Sequence, residues 1–375
     1  ALFALLLLAL VFGLELGFEQ ILPDAAWRQL ALFAMVNVIA ALSLNVINGM
    51  AGQFSIGHAG FVGVGAYTGA VVAGYVHHRL GNEDILFGNS FIVMPAALLS
   101  AAIMAALFGL LVGLPSLRLR GDYLAIVTLG FAEIFRLVIA TAQTGGGEQG
   151  AVAEALASLG GQNGYAGPDN TGVPQYAGPF WIFGAVLVVA IIAWRIKFSG
   201  WGRALRALRE DEIAASAVGV DPTRYKVTSF VISAAGAGIA GCLLASMRDG
   251  NPTVQPDQFN FTYSFDVITM VILGGSGSVT GAVFGGVFVT FTVKMIEQLQ
   301  GLESVQALRT IYPSLDLNAL RMVIYAAVLI GLMILRPQGI FGEREIFRRK
   351  RTTNEKPGRK SGDPKPTGEA NKEAG

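Results

Sequence analysis

Ten apolar runs dominate the chain, at about 1–18, 29–48, 54–76, 90–114, 122–143, 179–196, 227–247, 263–276, 279–298 and 319–336. A helix rising 1.5 Å per residue needs about 20 such residues to cross the ~30 Å hydrocarbon core of a bilayer. Backbone in lipid must satisfy its own hydrogen bonds, so spanning runs of this kind become helices. Composition agrees. Charged residues make up 14% and hydrophobic residues 53% of the 375, whereas a soluble domain carries about 25% charged residues. The chain has too few polar side chains to coat a soluble globule. The expectation is an all-α, polytopic membrane protein of about ten transmembrane helices.

Three runs are less regular than the rest. The first begins at Ala1 without Met, and its uncharged stretch 1–14 spans only ~21 Å as a helix. It reads as a spanning helix whose start lies outside this sequence, with a signal peptide as the alternative. Run 54–76 is rich in glycine, so a broken helix stays open. Run 263–276 is short and is separated from 279–298 by a Gly-Ser turn. Glycine is abundant throughout, 48 residues without a collagen period, which fits close helix packing in lipid.

Basic residues orient the spans. With a cytoplasmic N-terminus, the inner segments 49–53, 115–121, 195–226, 277–278 and the tail from Arg336 hold 20 of the 27 Lys and Arg residues, and the outer loops hold 4. Cytoplasmic loops carry such an excess, so both termini are expected on that side. The body is expected over 1–342, with a long outer loop at 144–178. A charged tail, 343–375, is too polar to fold alone. The run Arg348–Arg351 anchors topology or touches anionic lipid.

Catalytic motifs are missing. There is no G-x-x-x-x-G-K-[ST] loop for ATP and no G-x-S-x-G nucleophile elbow. The segment Gly274–Ser278 lacks the phosphate-loop lysine and reads as a hairpin turn. His77 and His78 are a poor basis for a metal site. Asn260-Phe261-Thr262 is only a weak glycosylation triplet. Cys242, the single cysteine, reads as a packing residue. A net charge of +1 gives no field for nucleic acid. No catalytic residue, metal or bound cofactor is expected.

Ionisable residues at membrane depth need partners. Glu133 and Arg136, spaced i,i+3, can face each other on one helix, as can Lys294 and Glu297. Either pair is a structural ion pair or part of a polar path. Asp122 reads as a helix N-cap, and Asp266 as a helix-start residue or part of an outer vestibule. Gln53, Ser55 and His58 lie in a glycine-rich entrance to a span. They form a packed, hydrogen-bonded corner or line a gate.

The largest inner loop is 197–226. Arg203, Arg206 and Arg209 recur along one flank. Glu210–Val218 is expected to form a short helix, with acids at its start, alanines within, Gly219 as its cap and Asp221-Pro222 as its stop. Such a helix is a knob for another protein's groove or an interfacial helix on lipid.

The motif E-x-A-A-x-x-x-G, here Glu212, Ala214, Ala215 and Gly219, resembles the loop by which ABC-importer permeases engage their ATPases. Five ordered segments strengthen the likeness: Gly52–Tyr67 (GQFSIGHAGFVGVGAY), Leu117–Leu137 (LRLRGDYLAIVTLGFAEIFRL), Gly202–Gly219, Ile272–Gly286 (ILGGSGSVTGAVFGG) and Arg336–Phe341 (RPQGIF). Together they resemble the LivM-type permease of branched-chain amino acid ABC importers, over about residues 36–342. The resemblance implies a bacterial inner-membrane subunit paired with a second related permease, two ATPases that bind and hydrolyse ATP, and an external substrate-binding protein. Glu212–Gly219 would then dock on an ATPase, and this chain would have no catalytic residues. Relatives for urea or short amides keep the substrate open. An ion-coupled secondary transporter is the alternative of another class, with Glu133, Asp266 and Glu297 as its spanning carboxylates.

Overall fold

The computed structural model describes residues 17–80, 89–116, 123–142, 156–300 and 339–342, with isolated positions at 12, 13, 15, 154, 345 and between 323 and 334; the side chains of 116, 169 and 296–300 are not included. Asp122, the Lys294–Glu297 pairing, the basic segment 117–121, most of runs 1–18 and 319–336, and nearly all of the tail with Arg348–Arg351 therefore lie outside the described residues.

Asp24 starts the first helix, α1 (Ala25–Leu44), by accepting a hydrogen bond from Ala26 N at 3.0 Å. The helix continues as a π turn, Asn45–Met50. Beyond it come α2 (His58–Leu80), α3 (Ser90–Ser116), α4 (Tyr123–Thr141) and α5 (Pro179–Phe198). Two short helices follow, α6 (Gly200–Glu210) and α7 (Glu212–Ala217). Then come α8 (Pro222–Ala245), α9 (Phe261–Gly274) and α10 (Val279–Gln300). Six of the described helices are long and apolar enough to cross a membrane, and Phe261–Gly274 and Val279–Met295 are shorter apolar helices. The chain is an all-α, multi-pass membrane protein.

Burial divides the helices into a centre and a periphery. The span containing α1 is 83% buried, against 22% for α5 and 28% for α4. The apolar faces of α3, α4 and α5 that remain uncovered suit lipid or a partner. Helix α1 carries two buried polar side chains, Asn37 and Ser43, and the π turn a third, Asn45; each is bonded. Asn37 donates to Thr290 Oγ1 at 3.0 Å and accepts from Tyr263 Oη at 3.2 Å, which ties α1 to α9 and α10.

Run 54–76 is not broken within its helix. Residues 52–57 form no regular structure, with Gly52 at φ +68, and α2 then runs unbroken from His58. Its glycines are contact points. A Cβ at Gly65 would strike the backbone of Gly238, so α2 and α8 meet where both side chains are missing. Cys242 is a buried free thiol on the same face, against Gly69.

The connections gather at two ends. One end holds the π turn, residues 199–221, the turn 275–278, residues 339–342 and Glu345. We call it the basic end, after its cationic loop. The other holds the start of α1 and residues 161–178 and 247–260. There main-chain bridges join Tyr165 with Val254 and Ala177 with Met247. Asn260, part of the glycosylation triplet, caps α9 by accepting from Tyr263 N at 3.1 Å.

Candidate functional site

The cytoplasmic-type loop folds as two helices rather than the single Glu210–Val218 helix expected from sequence. Asp211 is the reason. Its extended backbone ends α6, and its Oδ1 accepts from Ile213 N at 2.9 Å and Ala214 N at 3.0 Å to start α7. Asp221 likewise does more than stop a helix. It accepts from Thr223 N at 3.0 Å and Arg224 N at 3.4 Å, and Pro222 opens α8 five residues before the apolar run begins.

On α7, Glu212 is exposed and pairs with Lys226 at 2.6 Å. Ala214 is exposed, whereas Ala215 is 3% exposed and faces the body. Gly219 has φ +89 with open space around it, the left-handed cap expected after a short helix. Sequence reasoning missed two side chains that project farthest. Ile213 is 84% exposed and Val218 80%. Nothing in the sequence separates them from Leu205 and Leu208, apolar residues of the same loop that are buried. Helix α7 therefore presents a small apolar knob with an acidic residue beside it.

Helix α6 carries the knob and is fastened from below. Ser199 caps it, accepting from Gly202 N at 3.2 Å. Leu205 and Leu208 are buried. Two of the three arginines in its flank turn back to the protein. Arg206 donates from Nη2 to Lys197 O at 3.3 Å, and Arg209 from Nη1 to Gly49 O at 2.7 Å. Gly49 itself lies against the turn at 275–278, where a Cβ would collide with Gly277 N. Asn45 closes this junction, accepting from Gly277 N at 2.8 Å and donating to Ser278 O at 3.0 Å.

A buried ion pair lies beside the junction. Lys197 Nζ meets Glu345 Oε1 at 2.5 Å, with side chains 7% and 1% exposed. Glu345 also accepts from Val279 N at 2.8 Å, from Thr280 N at 3.0 Å and from Thr280 Oγ1 at 2.8 Å. Burial pushes this carboxyl up, but the lysine and the three hydrogen bonds outweigh it and hold it below the ordinary range. Neither residue announced the other in sequence, being 148 positions apart.

The remaining candidates fall into two places. Ser55 and His58 are buried near the basic end. Ser55 N donates to Asn48 Oδ1 at 3.1 Å. Ser43 gives its one hydroxyl proton to Ala40 O at 2.8 Å, so His58 Nε2, 3.0 Å away, is the donor to Ser43 Oγ. Gln53 is 7% exposed, and its Oε1 has no hydrogen-bond partner among the described residues. Thr128 Oγ1 holds the segment to α4, accepting from Ile56 N at 3.2 Å and Gly57 N at 3.3 Å. Glu133 and Arg136 stand toward the other end of α4 and pair at 2.9 Å, as their spacing predicts. Arg136 also reaches Asp257 at 2.9 Å. These two residues do not share a site with His58.

The family model described as "Branched-chain amino acid transport system / permease component" matches residues 27–335. The high-affinity branched-chain amino acid transport system permease protein LivM of Escherichia coli is 33% identical over 327 residues, 83% of this chain and 69% of that protein. The probable LivM of Methanocaldococcus jannaschii is 28% identical over 342 residues, 82% of this chain and 91% of that one. The permease protein LivH of Escherichia coli is 31% identical over 167 residues, 44% of this chain and 47% of that protein. No solved structure matches the chain.

Proposed function

The chain belongs to the branched-chain amino acid permease family, and on that premise we propose that it is one of two permease subunits of an ATP-driven importer for branched-chain amino acids. It sits in a bacterial inner membrane with the basic end in the cytoplasm. A second related permease completes the path. Two ATPase subunits supply the hydrolysis, and an external binding protein delivers substrate to the opposite end.

One observation carries this reading. The apolar knob of Ile213 and Val218 stands on a capped helix, exposed at the basic end, and its carrier α6 is anchored to the membrane helices. A knob of this kind fits a groove in another protein, and its anchor lets a push there reach the transport path. Glu133 is already neutralised by Arg136, which weakens the ion-coupled alternative.

Co-purification with the ATPase subunits tests the proposal, comparing wild type with Ile213→Asp and Gly219→Pro. Proline cannot adopt the φ of +89 at Gly219. Both variants are expected to insert normally and to lose the ATPases. Unchanged association would assign the loop to the lipid surface and remove the main support for an ATP-driven mechanism.

A further inference from the structure

We infer that Lys197 and Glu345 are positioning residues that make the α9–α10 hairpin move with the docking loop. The inference rests on the permease reading above and names the elements that would carry its coupling.

Two physical links run from α6 to the α9–α10 hairpin, one to its turn at 275–278 and one to the start of α10. The first begins at Arg209, which holds Gly49 O at 2.7 Å. Gly49 abuts Gly277, and Asn45 grips the turn through Gly277 N and Ser278 O. The second begins at Arg206, which holds Lys197 O at 3.3 Å. Lys197 lies two residues before Ser199, the cap of α6, so any displacement of α6 is felt there through the chain as well. Its ammonium binds Glu345, and Glu345 grips the first two residues of α10. Residues 339–341 wrap the other arm of the hairpin. Ile340 N donates to Leu273 O at 3.0 Å and Phe341 N to Gly274 O at 3.2 Å.

Simple stability does not require this arrangement. A buried ion pair is often no better than apolar residues of similar volume. What the pair adds is geometry. One carboxylate, that of Glu345, fixes the end of α5 and the start of α10 in one register. The hairpin it fixes is also bonded to the most buried helix, through Asn37, Thr290 and Tyr263. Movement of α6 therefore has a continuous route to the centre of the bundle.

The test uses the complete importer in proteoliposomes, with radiolabelled L-leucine as the probe and ATP hydrolysis measured in parallel. Wild type is compared with the double variant Lys197→Met/Glu345→Gln, which removes both charges together and strands neither. Transport per ATP is expected to fall about tenfold, within the 5–150-fold range of ordinary coupling energies, while hydrolysis continues. A purely structural pair would lower assembly and leave that ratio unchanged. An unchanged ratio in an assembled double variant overturns the inference and leaves the permease reading intact. Absence of ATP-dependent leucine uptake by the wild type overturns that reading, and the inference falls with it. If the double variant fails to assemble, Thr280→Val decides, since it removes no charge and only the hydroxyl shared between Glu345 and Ser278. A lower ratio there supports the clamp, and a wild-type ratio overturns it.

Discussion

The two ends of the molecule are stitched in different ways. At the opposite end, main chain meets main chain in the paired bonds of Tyr165 with Val254 at 2.9 Å, with side-chain ties such as Tyr67 Oη to Val254 O beside them. The charges around Arg136 are partly exposed there, with Asp257 at 68% and Glu133 at 31%, while Glu15 is buried against Arg248. At the basic end, side chains reaching across to main chain add to the main-chain bonds of Ile340 and Phe341, and the Lys197–Glu345 pair is buried on both sides. Arg209, Asn45 and Glu345 each bind a backbone group of a distant element. Main-chain bridges hold loops in place whatever the side chains are. Side-chain links transmit the position of one element to another and depend on single residues. The contrast suits a platform at one end and a coupled mechanism at the other.

The largest expected effect breaks this contrast directly. Truncating Lys197 alone to Met leaves Glu345 as an unpaired buried charge, and loss of one partner from a buried pair costs about 3–5 kcal/mol. Asp257→Asn, at the opposite end, removes a half of a partly exposed pair and is expected to cost about 1 kcal/mol or less. Thermal melting of the purified chain in detergent compares the two. Equal shifts would show that the ends differ in appearance only.

Much of this contrast was not legible in the sequence, and the reasons are physical. The spans were readable because lipid demands long apolar helices. The Glu133–Arg136 pair was readable because helical spacing places i and i+3 on one face. The exposure of Ile213 and Val218 was not readable, since Leu205 and Leu208, apolar in the same loop, are buried. The Glu210–Val218 helix was drawn too long because aspartate at 211 passes for a favourable first-turn acid as easily as for a cap. Only its extended backbone distinguishes the two. The Asp257 contact and the Glu345 clamp depend on which distant elements meet, and no periodicity records that. Ala215 was grouped with the docking residues, but the winding of α7 turns it toward the body while Ala214 faces out.

A smaller effect sharpens the comparison. Thr128 is fully buried and receives both Ile56 N and Gly57 N, while its hydroxyl donates to Ala125 O at 3.0 Å. Thr128→Val keeps the shape and removes the acceptor. Leaving these amides unsatisfied costs about 1–3 kcal/mol. Thr253→Ala, at the opposite end, removes a hydroxyl bonded only to the nearby Asn251 and is expected to cost about 0.5 kcal/mol. Melting temperatures again decide. A Thr128→Val protein as stable as Thr253→Ala would show that the irregular segment before α2 does not rely on its side-chain support.

The smallest expected effect is a pH response that stays flat. Glu345 is held below the ordinary carboxylate range, with burial outweighed by Lys197, Val279 N and the two donors of Thr280. A depressed carboxylate contributes stability above its unfolded pKa and loses it as pH falls through the folded one. The unfolded value for glutamate is about 4.3. The melting difference between wild type and Glu345→Gln is therefore expected to hold constant as pH is lowered from neutral toward that value, and to narrow only below it. Comparing the two proteins at each pH cancels the titration of every other group they share. A difference that shrank between neutral and mildly acidic pH would mean that desolvation, not the lysine and the α10 amides, governs this carboxyl. The clamp would then be protonated at the pH where the transporter works, and the basic end would lose the feature that most separates it from the other.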